Sequence, residues 1–346
     1  MTPAPRPERG AMPPRVSVVL PVRDAERTLD ECLASLAGQS LADHEVIAVD
    51  DHSSDGSRAR LARAAREDGR VRVLDNPGRG LVAALNAGTA AAEAPLVARM
   101  DADDVCHPDR LRAQVARLEA DRALDVLGTR VRLLGDGRPA AGMRAYVEWL
   151  NGLLDHDAIV RDLYVESPLA HPSVMMRREL LGRLGGYRAF EGPEDYDLWL
   201  RAHAAGARFG TLPEVLLDWR DGARRLSRTD PRYAPGRFLE TKLEALERGP
   251  LASRPALVVW GAGPVGKGWS RALRARGHRV AAFVEVHPGR LGQRIHGAPV
   301  VPVEAAAPAP GVLHLAAVGR PGARAEIRRR AASVGLRDGE DLIAVA

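Results

Sequence analysis

The stretch Arg99-Met-Asp-Ala-Asp-Asp104 directly follows the apolar run Ala94-Pro-Leu-Val-Ala98. The apolar run predicts a buried strand, and three carboxylates come where that strand ends. Open α/β sheets bind ligands at the carboxyl ends of their strands. Carboxylates that face one another repel unless a cation lies between them, and Mg²⁺ and Mn²⁺ prefer oxygen ligands. The stretch predicts a metal–diphosphate site, although such acids are also typical of a turn before a helix, here one beginning near Pro108.

Strands and helices alternate on both sides of this stretch. The apolar patterns predict strands over 16–20, 45–49, 71–74 and 96–100, and helices over 26–37, 57–67 and 81–92. This alternation predicts a parallel, doubly wound α/β sheet. Right-handed crossovers bring the carboxyl ends of parallel strands to one edge. We therefore expect three segments to converge there: 21–24, 50–51 and 101–104.

The rest of the chain is less regular. It predicts a strand over 126–134, a helix over 149–162, a strand over 171–176, an irregular segment over 221–235, and helices over 196–205 and 237–248. Gly249-Pro250 and Pro255 indicate a boundary, after which strands and a helix alternate again. The predicted organisation is a flexible tail (1–14), a large α/β domain (15–225), a helical linker (226–254) and a small α/β domain (255–346).

Composition excludes several classes of protein. The net charge of +5 is modest, and the arginines are scattered among acids on helix faces, so no nucleic-acid surface is predicted. Cys32 and Cys106 fit no disulfide framework or metal site, which suits a reducing compartment. No apolar run approaches the ~18 residues of a membrane span. We expect a cytoplasmic protein; contact with the inner membrane face or another protein, and the oligomeric state, stay open.

Seven motifs occur in a fixed order over roughly residues 15–225. They are Val16-Ser-Val-Val-Leu-Pro-Val-Arg-Asp24, Val49-Asp-Asp-His-Ser-Ser-Asp-Gly56, Ala84-Leu-Asn-Ala-Gly88, Ala98-Arg-Met-Asp-Ala-Asp-Asp104, Pro108-Asp-Arg-Leu111, His171-Pro-Ser-Val174 and Glu194-Asp-Tyr-Asp-Leu-Trp-Leu-Arg201. Together they resemble the family 2 glycosyltransferases with the GT-A fold, a doubly wound mixed α/β sheet. His52 stands where the family usually has glycine.

The resemblance implies a nucleotide-binding site in the first domain. The nucleobase would lie against Pro21 and Val22, in a segment that continues through Arg23 and Asp24, and Asp51 would accept a hydrogen bond from the base. In the Asp-x-Asp motif, Asp101 and Ala102 would lie near the ribose. Asp103, together with Asp101, would hold Mn²⁺ or Mg²⁺.

The resemblance also implies a reaction. A nucleotide diphosphate sugar, by family default a UDP-sugar, would donate its sugar with inversion to a hydroxyl of a glycan, a lipid-linked sugar or a small molecule. Asp195 would be the general base, and His171, Glu194 and Arg220 would face the phosphate or the acceptor. Structural roles stay open for these residues: helix-terminal acids for Glu194 and Asp195, and a buried histidine for His171. Arg220, Arg224 and Arg225 would either close over the phosphates or be solvated. The family's processive polysaccharide synthases carry a Gln-x-x-Arg-Trp motif and membrane helices, and this sequence has neither. The resemblance therefore implies an enzyme that adds one sugar at a time. Cell-surface polysaccharide biosynthesis is the expected setting.

The last 90 or so residues carry a second motif. Gly261-Ala-Gly-Pro-Val-Gly266 lies between a predicted strand and helix, and Glu285 ends the next strand, which is the context of a dinucleotide fingerprint. With Gly297-Ala-Pro-Val300, this segment resembles the small Rossmann-like domains attached to sugar-modifying enzymes. A structural or protein-binding role, a second nucleotide site at Gly261, Gly263, Gly266 and Glu285, and an NAD(P)-dependent sugar oxidoreductase all stay open. So does a non-catalytic nucleotide-sugar-binding protein.

Overall fold

A computed structural model describes residues 13–135, 139–222 and 225–346. Most of the predicted tail, and Arg224, lie outside these residues. The chain forms two compact units: the N-terminal unit comprises Met1–Asp155, Leu169–Phe190 and Ala205–Arg225, and the C-terminal unit comprises His156–Pro168, Glu191–Ala204 and Leu226–Ala346. Two segments within the predicted first domain, 156–168 and 191–204, thus cluster with the C-terminal unit. The domain limits drawn from the sequence remain a prediction.

Strands and helices alternate strictly from β1 to β4 and less regularly in the rest of the chain. The strands are β1 (Val16–Val22), β2 (His44–Asp50), β3 (Val71–Asp75), β4 (Leu96–Arg99), β5 (Val105–Cys106), β6 (Val126–Leu134), β7 (Met175–Arg177), β8 (Phe209–Arg220), β9 (Ala256–Trp260), β10 (Arg279–Val284), β11 (Arg294–Ile295), β12 (Ala298–Val301), β13 (Val312–Ala316) and β14 (Leu342–Ala344). The helices are α1 (Leu29–Ala37), α2 (Ser57–Glu67), α3 (Leu81–Ala91), α4 (Arg110–Ala120), α5 (Ala141–Asn151), α6 (His156–Arg161), α7 (Arg178–Arg183), α8 (Glu194–Ala204), α9 (Leu226–Thr229), α10 (Pro235–Arg248), α11 (Pro264–Ala275) and α12 (Ala323–Ser333).

The N-terminal unit is built on an eight-stranded mixed sheet in the order β3-β2-β1-β4-β7-β6-β8-β5. Strands β3, β2, β1 and β4 are parallel, whereas β7 runs antiparallel to both β4 and β6. Val22 lies opposite Asp50, and Val19 lies opposite Arg99. The loops after β1, β2 and β4 therefore leave the same edge of the sheet, as the alternation predicted.

Strand β8 is absent from the sequence-based prediction. Its middle contains Pro213 and Glu214, and a proline has no N–H to donate to a sheet ladder. The pairing with β6 passes from Leu212 opposite Thr129 to Val215 opposite Arg130, so Pro213 and Glu214 lie in a bulge. Because the bulge interrupts the alternation of inward and outward side chains, a strand of this length is not visible in the sequence.

Two further predictions were wrong. The helix predicted over 149–162 is two helices, because α5 ends at Asn151 and α6 begins at His156. The Asn151 side chain bonds both the N–H and the carbonyl of Val131, at 2.9 and 2.8 Å, which ties the helix end to β6. The strand predicted over 171–176 begins instead with a 3₁₀ turn at His171–Ser173, where Pro172 lacks an N–H, and only Met175–Arg177 is a strand.

The C-terminal unit contains a six-stranded sheet in the order β11-β12-β10-β9-β13-β14. All neighbouring strands are parallel except β11 and β12. From β12 to β14 the strands follow the order 3-2-1-4-5, counted from β9 without β11, and this order occurs in doubly wound α/β sheets. No α-helix connects β10 to β12, where the chain forms a 3₁₀ turn and the short strand β11.

The glycine-rich turn of this unit depends on close backbone approach. Gly261 has φ +108°, and a Cβ at Gly266 would lie 1.9 Å from the Gly261 carbonyl oxygen. Only glycine permits the first turn of α11 to pack this closely on the end of β9. Among the described residues, no helix combines the length and the apolar composition that a bilayer crossing requires.

We predict that Gly266→Ala destabilises the C-terminal unit, because the new methyl group overlaps a backbone oxygen that has no room to move. Overpacking of this kind costs about 1–3 kcal/mol. Gly268→Ala is the matched control: it lies in the same helix, and its Cβ would meet nothing within 4 Å. Because alanine favours a helix over glycine by about 1 kcal/mol, the control should be neutral or stabilising. Urea unfolding of both variants measures the difference, and equal stabilities would contradict the packing argument.

Candidate active site

Asp51 lies at the end of β2 and is almost fully buried. Its Oδ1 accepts hydrogen bonds from the Asn76 side chain and the Gly80 N–H, at 2.7 and 2.9 Å. Its Oδ2 accepts from the Gly80 N–H at 3.0 Å and from Arg23 at 3.4 Å. The Arg23 side chain is 59 % exposed, so its long contact is the one that a ligand could replace without breaking the buried hydrogen bonds.

The segment after β1 is fastened to the segment after β2. Asp24 has a φ of +47°, and its carboxylate accepts from the N–H and hydroxyl of Ser54, at 2.7 and 3.1 Å. Pro21 and Val22 are buried strand residues. His52, which replaces the usual glycine, has a φ of +57° and bonds the Gly78 carbonyl through Nε2 at 2.7 Å. The left-handed conformation explains why glycine is common at that position.

Three carboxylates gather where β4 ends. One oxygen each from Asp101, Asp103 and Asp104 lies within 4.8 Å of the other two. Asp101 also forms an ion pair with Arg99, whose side chain is almost completely buried. The sequence predicted Asp101 and Asp103 as metal ligands, and the structure adds Asp104 to the cluster. Ala102, between the first two acids, is buried.

The surroundings of these acids disfavour their charged forms. Burial, reinforced by Asp101, raises the pKa of Asp103 to about 6. Burial together with the charges of Asp101 and Asp103 raises the pKa of Asp104 well above its usual value. The Asp104 Oδ2 is buried and has no hydrogen-bond partner in the described part of the chain. Three clustered oxygen donors with an unpaired buried oxygen fit a hard divalent cation.

Neighbouring elements hold the loop of acids in place. The Thr28 hydroxyl bonds the Ala102 carbonyl at 3.1 Å, and the Cys32 thiol bonds the Asp101 carbonyl at 3.3 Å. Arg220, at the end of β8, donates its backbone N–H to Asp104 Oδ1 at 2.7 Å and its Nε to the Asp103 carbonyl at 2.6 Å. In this structure Arg220 therefore positions the acids. Arg220 also forms an ion pair with Glu31.

His171 is buried in the N-terminal unit. Its Nε2 bonds the Tyr187 hydroxyl at 2.8 Å. The Asn86 side chain bonds both the N–H and the carbonyl of Tyr187, at 2.9 and 2.8 Å, which fixes that tyrosine. Burial, with a contribution from the charge of Arg99, holds the pKa of His171 well below its usual value. A neutral histidine bonded to a tyrosine matches the structural role left open for this residue.

Glu194 and Asp195 begin α8 in the C-terminal unit. Buried Glu194 accepts a 2.6 Å hydrogen bond from the Tyr233 hydroxyl. Half-buried Asp195 accepts a 3.3 Å hydrogen bond from the Ser167 hydroxyl. Burial and the charges of Glu194 and Asp195 hold the pKa of Tyr233 far above its usual value, so that its hydroxyl remains a donor. Asp197 forms a 2.7 Å ion pair with Arg201, a structural role.

Glu285 closes the glycine-rich turn from the end of β10. Its Oε2 accepts from the Ala262 N–H at 3.3 Å and from Arg290 at 3.0 Å. Its Oε1 accepts from the Val286 and His287 N–H groups, at 2.9 and 3.2 Å. Gly263 caps the start of α11. The carboxylate that a dinucleotide ribose would need is thus already bonded at both oxygens.

The sequence analysis did not identify the residues that hold the predicted site residues in place. Asn76 and Gly80 hold Asp51, Arg99 compensates Asp101, and Tyr233 bonds Glu194. A turn pattern, Asn76-Pro-Gly-Arg-Gly80, was visible after β3, but nothing in it indicates the carboxylate that it binds. Tyr233 lies 39 residues from Glu194, so only the fold brings the two together.

A family model and curated proteins of bacterial polysaccharide synthesis are similar to this chain in sequence. The family model for glycosyl transferase family 2 matches residues 17–185. The chain is 34 % identical over 227 residues to EpsE of Bacillus subtilis (strain 168), covering 64 % of this chain and 78 % of EpsE. It is 31 % identical over 211 residues to the amylovoran biosynthesis glycosyltransferase AmsE of Erwinia amylovora, covering 60 % of this chain and 76 % of AmsE.

Solved structures share the fold. S. aureus TarS 1-349 in complex with UDP-GlcNAc aligns with a TM-score of 0.54 and 20 % identity, covering 67 % of this chain and 66 % of that one. The mannosyltransferase PcManGT from Pyrobaculum calidifontis, in complex with GDP-Man and Mn2+, aligns with a TM-score of 0.50 and 20 % identity, covering 80 % of this chain and 83 % of that one. With the motifs, the mixed sheet and these relatives in agreement, the chain belongs to glycosyltransferase family 2 and is a glycosyltransferase of the GT-A fold.

Proposed function

We propose that the protein transfers a sugar, with inversion, from a nucleotide diphosphate sugar to a hydroxyl, using a divalent metal ion held by Asp101, Asp103 and Asp104. The observation that carries the proposal is the carboxylate cluster at the end of β4, with the unpaired buried oxygen of Asp104. The likeness in fold to complexes with UDP-GlcNAc and with GDP-Man and Mn2+ supports a nucleotide-sugar donor and a metal. We favour a UDP-sugar, which the family resemblance implies.

The residues of the N-terminal unit would bind and orient the donor. Pro21 and Val22 would support the nucleobase, and Asp51 would accept from its ring N–H in place of the long contact with Arg23. Such a carboxylate is fixed in advance by Asn76 and Gly80, so little ordering is needed on binding. When bound, Mn²⁺ or Mg²⁺ would neutralise the charge that develops on the departing diphosphate.

Asp195 would serve as the general base. It would take the proton of the acceptor hydroxyl while the acceptor oxygen bonds to the anomeric carbon. The bond from that carbon to the diphosphate oxygen would break, and its electron pair would leave with the diphosphate. The names of the relatives favour an acceptor in cell-surface polysaccharide synthesis. We favour glycosyl transfer over NAD(P) chemistry, because the family model and the relatives that match this chain are those of glycosyltransferases.

We predict that Asp103→Asn weakens Mn²⁺-dependent UDP binding by more than about tenfold, since even second-shell changes at metal sites cost about 10–100-fold. The protein should stay folded, because the change removes a charge from a cluster of like charges. Calorimetric titration of UDP with and without Mn²⁺ measures the effect. Asp43→Asn, at an exposed acid of the same unit, is the control. Wild-type Mn²⁺-dependent affinity in Asp103→Asn would exclude Asp103 as a ligand.

We also predict that Mn²⁺ binding weakens as the pH falls through about 6. The pKa of Asp103 is raised to about 6, so below that pH a proton occupies the oxygen that the metal needs. Affinity should therefore rise between pH 5 and pH 7.5. Titration of Mn²⁺ at fixed UDP across this range tests the sign, and an affinity that does not change over it would contradict the assignment.

We predict that Asp195→Asn retains UDP and Mn²⁺ binding but loses transfer. The substitution is nearly isosteric and removes only the proton acceptor, and general-base catalysis contributes about 10²–10⁴-fold. Product formation with an acceptor, measured together with UDP binding, separates the two effects. Glu191→Gln, an exposed acid just before α8, is the control. A near wild-type rate in Asp195→Asn would show that another group takes the proton.

A further inference from the structure

A cavity of about 580 Å³ lies within the C-terminal unit. This volume is in the range of small-molecule sites, which are about 300–1,000 Å³. One side is formed by α10 and the chain just before it, through Tyr233, Phe238 and Leu239. Another part of the wall is formed by α11, through Val265 and Trp269. The glycine-rich turn thus places a helix against the cavity.

The cavity wall adjoins the acids that begin α8. Tyr233 lines the cavity and donates its hydroxyl hydrogen to Glu194, the residue before the proposed base. Glu166 also lines the cavity, and the next residue, Ser167, donates to Asp195. Two separate parts of the wall are therefore joined by hydrogen bonds to Glu194 and Asp195.

Phe238 provides a third link between the wall and α8. Its ring packs against that of Tyr196, the residue after Asp195, with the ring centres 5.8 Å apart. The Tyr196 hydroxyl in turn bonds the Leu163 carbonyl at 2.7 Å, so this tyrosine is held at both ends. The aromatic wall and the proposed base are consequently parts of one packed assembly.

Most of the residues that line the cavity are apolar or aromatic, and three are charged: Glu166, Lys242 and Arg324. The cationic side chains at the cavity have partners within the protein: Lys242 donates to the Val165 and Val345 carbonyls, at 2.6 and 3.3 Å, and Arg324 faces Asp162 at 3.9 Å. Burial lowers the pKa of Lys242 to about 8, so this lysine still carries its charge at neutral pH, where the two carbonyls accept from it. Such a lining favours an apolar group over a phosphate or a nucleobase.

We propose that this cavity binds an apolar group of the acceptor. The apolar group is attached to the acceptor sugar, whose hydroxyl receives the sugar of the donor. The inference rests on the proposed function, because it takes Asp195 as the base. It assigns a role to the small α/β domain, which supplies the wall on α11. An apolar glycoside, rather than a free sugar, is then the acceptor class.

The test is calorimetric titration of the full-length protein with octyl β-D-glucopyranoside below its micelle-forming concentration, and with glucose as the same sugar without the apolar chain. Two variants obstruct the cavity. Gly268→Trp introduces a large side chain where a Cβ would meet nothing within 4 Å, and Val265→Trp enlarges a wall residue that is 40 % exposed. Arg271→Trp is the matched control, since Arg271 is exposed on α11 and is not part of the wall.

We expect saturable binding of octyl glucoside to the wild type and to Arg271→Trp, at least tenfold weaker binding to both obstructing variants, and at least tenfold weaker binding of glucose. Equal affinity in the obstructing variants, equal affinity for glucose, or no saturable binding would overturn the inference. UDP binding with Mn²⁺, measured in the same samples, should be unchanged in all variants. If the wild type itself does not bind UDP with Mn²⁺, the proposed function with a UDP-sugar donor is refuted instead. The two failures are therefore distinguishable.

Discussion

Mutual repulsion among Asp101, Asp103 and Asp104 is the constraint that the surrounding structure has to meet. Three acids within 4.8 Å of one another, two of them with raised pKa values, are held there against their charge. Arg99 compensates Asp101 by an ion pair, and fully buried Arg110 donates to the Arg99 carbonyl at 2.8 Å. Contacts from α1 and the end of β8 fix the loop that carries the acids. A site fixed in this way can bind a cation with little rearrangement.

A similar arrangement occurs at other polar positions of the protein, where a carboxylate proposed for a site is held by hydrogen bonds from neighbouring residues. Asn76 and Gly80 hold Asp51, and the Tyr233 hydroxyl holds Glu194. Glu285 closes the glycine-rich turn by bonding the backbone around it. In the same unit, α11, which follows the glycine-rich turn, contributes Val265 and Trp269 to the cavity wall.

The sequence pattern was sufficient to predict a strand or a helix where one hydrophobic periodicity continued without interruption. The strands of the parallel half of the large sheet, and the helices between them, were predicted within a few residues, because continuous apolar runs and amphipathic faces mark them. Strand β8 was missed because Pro213 and Glu214 interrupt its alternation. The helix over 149–162 was wrong because the Asn151 side chain, bonded to β6, ends α5. In both cases a contact distant in sequence overrides the local preference.

The sequence by itself determined the α/β class, the convergence of the loops after β1, β2 and β4, the family, and the acids Asp51, Asp101 and Asp103 as candidates. These depend on short-range patterns and on residue types whose chemistry is visible in the chain. Only the tertiary structure decided that Asp104 is buried with an oxygen unpaired in the described part of the chain, that Arg220 positions the acids, that His171 bonds Tyr187, and that a cavity adjoins the residues around Asp195. Burial, which shifts pKa values and leaves an oxygen unpaired, arises when distant segments pack together, and no local pattern records that packing.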